Sequence, residues 1–216
     1  IRDRDGPLPG ESPVPVNRDF ADDFSKDRFS PHYNFLRNPS MENYVRDTAE
    51  RKLILKGTGT TINEMASPTW IGVRQKGFET VSTAVVSLLD AVQGMRAGLT
   101  AYYNDSYHYE IYLSRELDRW KVCLAKHVHD IFTVTASAEL PAAENVMLRI
   151  VSDKTYYRFS YSLDGETFVE LGSGLVVGLC TESTRNMTFT GTYLGMFAEN
   201  GCAAFENFHV KVLDHE

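Results

Sequence analysis

The sequence predicts an all-β fold made of two packed antiparallel sheets, a jelly-roll sandwich. Short segments of alternating apolar and polar residues recur about every 8 to 12 residues, with turn-forming residues between them. Twelve Phe and eleven Tyr suit half-buried pleated strands. No helical period persists, and residues 87–94 could form a single helical turn at most. So many strands in one open sheet would curl or split into two layers.

Residues 156–172 carry the clearest local pattern. Tyr157, Phe159, Tyr161 and Leu163 alternate with polar residues, which indicates a strand with one buried face. The Asp-Gly pair that follows, at 164–165, predicts a two-residue hairpin turn. The returning strand is expected within residues 167–171.

The remaining strands follow from the same signals. Residues 21–25 form the first, and a turn at Ser30-Pro31 leads into a second extended segment. The other predicted strands cover residues 52–57, 69–75, 78–86, 95–104, 107–114, 119–126, 130–138, 145–153, 188–199 and 204–213.

Composition separates a lead segment from the sandwich. Residues 1–18 hold four of the chain's eight prolines, which favours an extended interdomain linker, and residues 19–216 form the predicted domain. The chain begins with Ile1 and shows no signal peptide, so we expect a piece of a longer protein.

Its net charge of -7 argues against nucleic-acid binding. The sequence contains no run of about 18 apolar residues, the length expected of a membrane-spanning helix.

The three cysteines are too few and too widely spaced for a disulfide framework or a C-x-x-C metal site. Cys123, Cys180 and Cys202 are therefore expected to be buried small hydrophobic residues.

Catalytic candidates are sparse. A glycosidase needs two carboxylates about 5 to 10 Å apart across a cleft. Glu110 is the best single candidate, on the same strand face as His108 and Tyr112, but no second acid stands out near it.

His127 and His129 could share a strand face as a zinc pair. Exposed polar positions are the more common explanation for such a pair.

A calcium site is a further hypothesis. Asp22 and Asp23 near the first strand could meet Glu206 and Asn207 of the last strand if the two strands pair. Such hard oxygen ligands suit Ca²⁺. Ordinary charged edge residues explain the same pattern equally well.

Aromatic and amide side chains suggest carbohydrate binding on a concave sheet face. Aromatic platforms pack on the apolar faces of sugars, and planar polar groups bind their hydroxyls. Burial in the core is the competing explanation for each ring. The residues concerned are Trp70, Arg74, Gln75, Tyr102, Tyr103, Asn104, Tyr107 and Tyr112.

Several motifs taken in order resemble a known family. They are RFSPHYNFLRNP, SPTWIGVRQ, AGLTAYYND with YHYEI, YRFSYSLDG and FTGTYLGM. Together they resemble the C-terminal concanavalin A-like domain of family 43 glycoside hydrolases, the β-xylosidase and α-arabinofuranosidase group, from about Phe20 to Leu213. The resemblance implies a secreted or periplasmic parent enzyme whose separate propeller domain carries the catalytic acids.

The resemblance also implies site residues. An aromatic residue near the FTG motif, Phe189 here, would close one side of the propeller's substrate pocket, with Arg185 and Asn186 at the same interface. A core position is the alternative for Phe189. Where many relatives have Asp in the last strand this chain has Glu206, which weakens the implied calcium site that it would form with Asp22.

These observations predict a non-catalytic accessory domain that packs on a catalytic propeller of the same parent chain, which acts on xylo- or arabino-oligosaccharides. Two alternatives stay open: an independent carbohydrate-binding module, and a sandwich glycanase or lyase in its own right.

Overall fold

The computed structural model describes residues 17–90, 92–184 and 189–213. Within them, fifteen strands and two short 3-10 helices, Met41–Asn43 and Val176–Leu179, make up the regular structure. Neither helix approaches the length needed to cross a bilayer. The strands are β1 (Phe20–Asp22), β2 (Tyr33–Phe35), β3 (Tyr44–Asp47), β4 (Lys52–Gly57), β5 (Thr69–Arg74), β6 (Thr80–Leu88), β7 (Arg96–Asn104), β8 (Tyr107–Glu116), β9 (Arg119–Val128), β10 (Ile131–Leu140), β11 (Val146–Ser152), β12 (Tyr156–Ser162), β13 (Val169–Leu175), β14 (Tyr193–Glu199) and β15 (Gly201–Val212).

The strands form two packed antiparallel sheets, as predicted. One sheet has eight strands, in the order β13-β12-β11-β6-β15-β4-β3, with β1 also paired to β15. The other has seven, in the order β10-β9-β8-β7-β14-β5-β2. The prediction of a two-sheet antiparallel sandwich is confirmed.

The main core lies between the sheets. Alternation along β8 turns Tyr107, Tyr109, Ile111 and Leu113 inward, where they join apolar residues of the eight-stranded sheet such as Phe159. The residues between them therefore face outward, on the side of the seven-stranded sheet away from its partner.

A second, smaller core covers that outward side. This outer-face cluster comprises Ile62, Trp70, Tyr102, Tyr112, Cys123, Ala125 and Phe197. Two glycines make room for its indole. A Cβ at Gly72 would lie 2.7 Å from Trp70 Cη2, and one at Gly195 would lie 2.5 Å from Cζ2. The Trp70 ring thus lies against bare backbone of β5 and β14.

The predicted hairpin exists, but its two-residue turn is wrong. β12 ends at Ser162 and β13 begins at Val169, so residues 163–168 connect them. Asp164 accepts the backbone N–H groups of Glu166 at 2.8 Å and Thr167 at 2.7 Å, which closes a wider turn. A register shift between Phe159 and Ser160 accompanies it.

One further prediction fails at a strand boundary, and one strand is not predicted at all. Residues 189–192 precede β14 rather than belong to it, since that strand begins at Tyr193. Residues 44–47 form β3, a strand too short to give a detectable alternation. The predicted linker lies outside the described residues except for Asn17 and Arg18, and it stays a prediction.

The start of the described chain lies beside its end. Asp19 Oδ1 accepts the N–H of Val212 at 2.8 Å, and β1 pairs with β15. Arg18 Nη1 also donates to the carbonyl of Lys76 at 3.5 Å, in the connection after β5. The chain therefore enters the sandwich beside the β5–β6 connection.

Candidate functional site

Phe189 lies in the connection between β13 and β14, where its side chain is 78% exposed. The alternative that it is a core residue is therefore wrong. Gly191 follows at φ 73°, a backbone conformation that glycine adopts without steric cost, and it turns the chain into β14. Arg185 and Asn186, predicted to share its interface, lie outside the described residues.

The backbone that follows Phe189 is held by hydrogen bonds, whereas the Phe189 ring is exposed. Arg74 donates to the carbonyl of Thr190 and, at 2.8 Å, to the hydroxyl of Tyr193. Its guanidinium also lies 5.0 Å from the centroid of the Tyr193 ring. The N–H of Gln75 donates to the carbonyl of Thr192 at 3.0 Å. An exposed aromatic ring thus adjoins anchored backbone; residues 189–192 are called the Phe189 loop below.

A cavity of about 390 Å³, the end pocket, opens beside this loop. The β5–β6, β11–β12 and β13–β14 connections all contribute to it, so it marks one end of the sandwich. Phe78 at its edge is 61% exposed, and Val177, next to the lining residue Val176, is 53% exposed. Its lining includes Gln75, Phe78, Tyr103, Asp153, Tyr157, Val176, Leu179, Thr181, Gly191 and Thr192.

A smaller cavity of about 200 Å³, the aromatic pocket, lies against the outward side of the seven-stranded sheet. Thr190 lines it, so it lies directly beside the Phe189 loop. The other principal lining residues are Asn34, Phe35, Trp70, Tyr102 and Tyr193.

The aromatic residues proposed as sugar platforms are buried. Trp70 is 1% exposed, and Tyr102, Tyr103, Tyr107 and Tyr112 are buried as well. Burial raises the pKa of Tyr112 above its usual range. The expectation of an open aromatic face is therefore wrong. Within the predicted set, Trp70, Tyr102 and Tyr103 line the aromatic pocket, and Tyr103 also lines the end pocket.

The polar members of that set have internal partners. The side chain of Gln75 donates to the carbonyl of Gly77 at 2.8 Å and accepts the hydroxyl of Tyr157 at 2.8 Å. Asn104 Oδ1 accepts the N–H of Ser106 at 2.9 Å and caps the β7–β8 turn. These two amides hold connections in place, whereas Arg74 anchors the Phe189 loop.

Glu110 has a nearby acid after all, but both are sealed. Glu110 is fully buried on the outward side of β8, with Arg96 Nη1 at 3.3 Å and His108 Nε2 at 3.1 Å. Arg96 also donates to Glu199 at 2.6 Å through Nη2. The second oxygen of Glu199 accepts the N–H of Ile62 at 2.9 Å, within the segment that covers this face. A substrate cannot reach either carboxylate.

The charges in this network shift its titration. Burial would raise the pKa of Glu110, but the charge of Arg96 and the hydrogen bond from His108 outweigh it and hold that pKa below its usual range. Burial raises the pKa of Glu199, although Arg96 opposes the shift. Arg96 therefore compensates two buried acids at once.

The predicted histidine pair does not share a strand face. β9 ends at Val128, and His129 follows it in a turn with φ 64°. The Nδ1 atom of His129 is hydrogen-bonded to Oδ1 of Asp130 at 2.8 Å. Among the residues described, no three His, Cys, Asp or Glu side chains converge as a metal site would require.

The cysteines are free; Cys123 is buried as predicted, whereas Cys180 and Cys202 are partly exposed.

The residues proposed for calcium are engaged by cations. Asp22 accepts two hydrogen bonds from Arg46, each at 3.0 Å, and Glu206 pairs with Lys52 at 3.5 Å. The first and last strands do pair, as that prediction required. Because a guanidinium already occupies both oxygens of Asp22, this arrangement does not fit Ca²⁺ without rearrangement.

Comparisons with known proteins agree with the fold. A family model described as the beta xylosidase C-terminal concanavalin A-like domain matches residues 21–211. A non-reducing end alpha-L-arabinofuranosidase of Bacteroides ovatus is 28% identical over 215 residues, which cover 94% of this chain and 39% of that relative.

Solved structures give the same result. One described as "Bacteroides ovatus Xyloglucan PUL GH43B" superposes with a TM-score of 0.85 at 26% identity and covers 96% of this chain and 41% of its own. A xylan beta-1,4-xylosidase from Bacillus halodurans C-125 shares the fold, with a TM-score of 0.84 at 19% identity, covering 95% of this chain and 41% of that one. The chain thus spans about two-fifths of the length of these relatives.

The family match extends over nearly the whole described sandwich, including the FTG segment and both sheets. The chain belongs to the family of C-terminal concanavalin A-like domains of family 43 glycoside hydrolases.

Proposed function

We propose that this chain is the non-catalytic accessory domain of a family 43 glycoside hydrolase. It packs on the catalytic propeller domain of the same parent chain and adds Phe189 to the rim of the active site. The parent enzyme releases terminal arabinosyl or xylosyl units from xylan- or arabinan-derived oligosaccharides. The activities named for the relatives support this substrate class.

The observation that carries the proposal is the exposed ring of Phe189 on an anchored loop. A phenylalanine that is 78% exposed buries almost no apolar surface in the sandwich, so it contributes little to folding. The contacts of Arg74 nevertheless hold the adjacent backbone. This combination suits a side chain positioned for use by a neighbour.

The surface around the end pocket supports docking of another domain at this end. Phe78, Val177 and Phe189 are exposed apolar side chains contributed by connections at one end of the sandwich. Apolar residues clustered around a recess are typical of interaction surfaces. The catalytic domain of the parent chain is the proposed occupant.

The sealed network supports a catalytic centre elsewhere. The two acids closest to forming a glycosidase pair, Glu110 and Glu199, are both buried and share one arginine. Hydrolysis requires carboxylates that the substrate and water can reach. The acids of the reaction therefore belong to the partner domain.

An aromatic ring at the rim would have a defined effect. It would close one side of the pocket, limit binding to the terminal sugar and exclude bulk water from the reaction. Without the ring the pocket would admit longer chains and hold the terminal sugar less firmly.

The test is Phe189→Ala in the parent enzyme. We expect kcat/KM for aryl xyloside or arabinofuranoside to fall about tenfold or more. Leu117→Ala is the matched control, because Leu117 is 80% exposed in the β8–β9 turn at the other end of the sandwich. Equal kinetics for the two variants would contradict the proposed rim role.

The isolated chain tests the non-catalytic assignment. Incubated with the same aryl glycosides, it should release no product above background. Turnover that survives repurification and disappears with Glu110→Gln would instead favour the sandwich glycanase.

A further inference from the structure

The aromatic pocket has the composition of a sugar site although the sheet around it does not. Trp70 and Tyr102 form its floor, with their ring centroids 5.3 Å apart, and Tyr193 stands at right angles to Trp70 at 6.3 Å. Phe35 lines the same cavity. Trp70 and Tyr102 are buried, so the half-buried rings of Phe35 and Tyr193 are the ones that can pack against the C–H faces of a sugar ring.

Polar groups are available at the mouth of this pocket. Asn34 and Thr190 are exposed, and Asn34 uses only its NH₂ group internally, donating to the carbonyl of His32 at 3.0 Å. Its amide oxygen therefore remains an acceptor for a ligand. The hydroxyl of Tyr193 accepts from Arg74 at 2.8 Å, so its own proton can be donated to a ligand.

Size and charge restrict the ligand. The cavity of about 200 Å³ is smaller than the roughly 300 to 1,000 Å³ of sites for drug-sized molecules, so it suits one small ring. Its lining residues are neutral. Two cations lie beside it, and both are engaged. Arg74 donates to Thr190 and Tyr193. Arg37, next to Tyr102, pairs with Asp105 at 3.8 Å and donates to the carbonyl of Glu64 at 3.2 Å. A neutral polyol ring fits this lining better than an anion does.

We propose that the aromatic pocket binds one pentose ring of an oligosaccharide, as an added subsite beside the Phe189 rim. Its role as a subsite depends on the proposed function, whereas sugar binding by the pocket does not. Thr190 lines the pocket and directly follows Phe189, so the same connection serves both sites.

Tryptophan fluorescence gives a direct readout. The chain has two tryptophans, Trp70 and Trp120, and Trp70 lines the pocket. In a Trp120→Phe background, titration with xylotriose, D-xylose or L-arabinose should change the Trp70 emission in a saturable way. A linear or absent response with all three sugars would overturn the proposal.

Variants at the mouth locate the site. The double variant Asn34→Ala/Thr190→Ala removes two polar contacts and should weaken binding about fivefold or more. Thr133→Ala is the control, since Thr133 is exposed on β10 at the opposite edge of the same sheet. Circular dichroism and the thermal midpoint establish that each variant is folded. Equal affinity of the double variant and the control would place the sugar elsewhere and overturn the proposal.

Comparison with the kinetics of Phe189→Ala separates the pentose subsite from the proposed rim role of Phe189. No sugar binding together with altered kinetics for Phe189→Ala would overturn the subsite and leave the proposed function standing. Saturable binding lost in the double variant, with unchanged kinetics for Phe189→Ala, would retain the pocket and contradict the rim role. The chain would then act as an independent carbohydrate-binding module.

Discussion

The Phe189 loop and the Glu110 network differ in an instructive way. The network holds the residue types that hydrolysis uses, two carboxylates and two histidines nearby, but they are buried under the outer-face cluster. The loop holds a chemically inert phenyl ring, but presents it to solvent. Access to solvent, rather than reactivity, therefore distinguishes the two regions. Variants of buried and exposed residues test this contrast, from the largest expected effect on stability to the smallest.

Arg96→Met should be the most damaging change. It leaves Glu110 and Glu199 buried without their shared cation, which typically costs about 3 to 5 kcal/mol of the free energy of unfolding. Urea unfolding measures the loss. Because uncompensated burial raises carboxyl pKa values above those of the unfolded chain, the defect should be larger at pH 7 than at pH 4.

The matched control for this variant is Arg119→Met, at an exposed pair with Glu139, which should cost less than about 1 kcal/mol. If the two variants unfold at the same urea concentration, the buried network contributes no more to stability than a surface ion pair does. That result would contradict the importance assigned to its burial.

Gly195→Ala should have an intermediate effect. Its Cβ would lie 2.5 Å from the Trp70 ring and displace it, at a cost of about 1 to 3 kcal/mol. Thermal unfolding provides the measurement. Gly59→Ala should be almost silent, because the nearest atom to its Cβ is 3.8 Å away. Normal stability of Gly195→Ala would mean that the indole is free to move, as a surface platform would be.

Asp153→Asn should change the pH dependence of stability beside the end pocket. A hydrogen bond from Arg158, followed by the N–H groups of Tyr156 and Thr155, lowers the pKa of Asp153 to about 2. Since the unfolded value is about 3.9, the stabilisation is present above pH 4 and is lost as the pH falls towards 2. The variant should therefore lose less stability over this interval than the unmodified chain. Parallel acid-unfolding profiles would contradict this assignment.

Phe189→Ala should have the smallest effect on folding. Replacing a side chain that is this exposed typically changes stability by less than about 0.5 kcal/mol. Its thermal midpoint should match that of the unmodified chain although the kinetics of the parent enzyme change. A large drop in the midpoint would show that the ring supports the sandwich itself.

The strands could largely be predicted because their signals are local. The segment 52–57 is a strand at the predicted bounds, and 107–114 lies within β8, since alternation needs only neighbouring residues. The start of β14 was predicted too early because Thr188, Phe189 and Thr190 have strong strand propensity. Nothing local indicates that Arg74, far away in sequence, holds Thr190 outside the strand.

The candidate site was less predictable because burial depends on distant segments. Arg96 and Glu199, which complete the Glu110 network, are 103 residues apart in sequence. Trp70 is buried in a cluster whose members come from distant segments, and two glycines make space beneath its ring. An aromatic residue in a strand has the same local pattern whether it lies under a cover or in the open.

The position of Arg18, against the carbonyl of Lys76, has a consequence for assembly. Any polypeptide that precedes Asn17 would join the sandwich next to the end pocket, so the proposed catalytic domain would be tethered close to the surface around that pocket. Tethering at this range gives an effective concentration on the order of millimolar. A contact too weak to hold two separate molecules together would then be enough to keep the two domains associated.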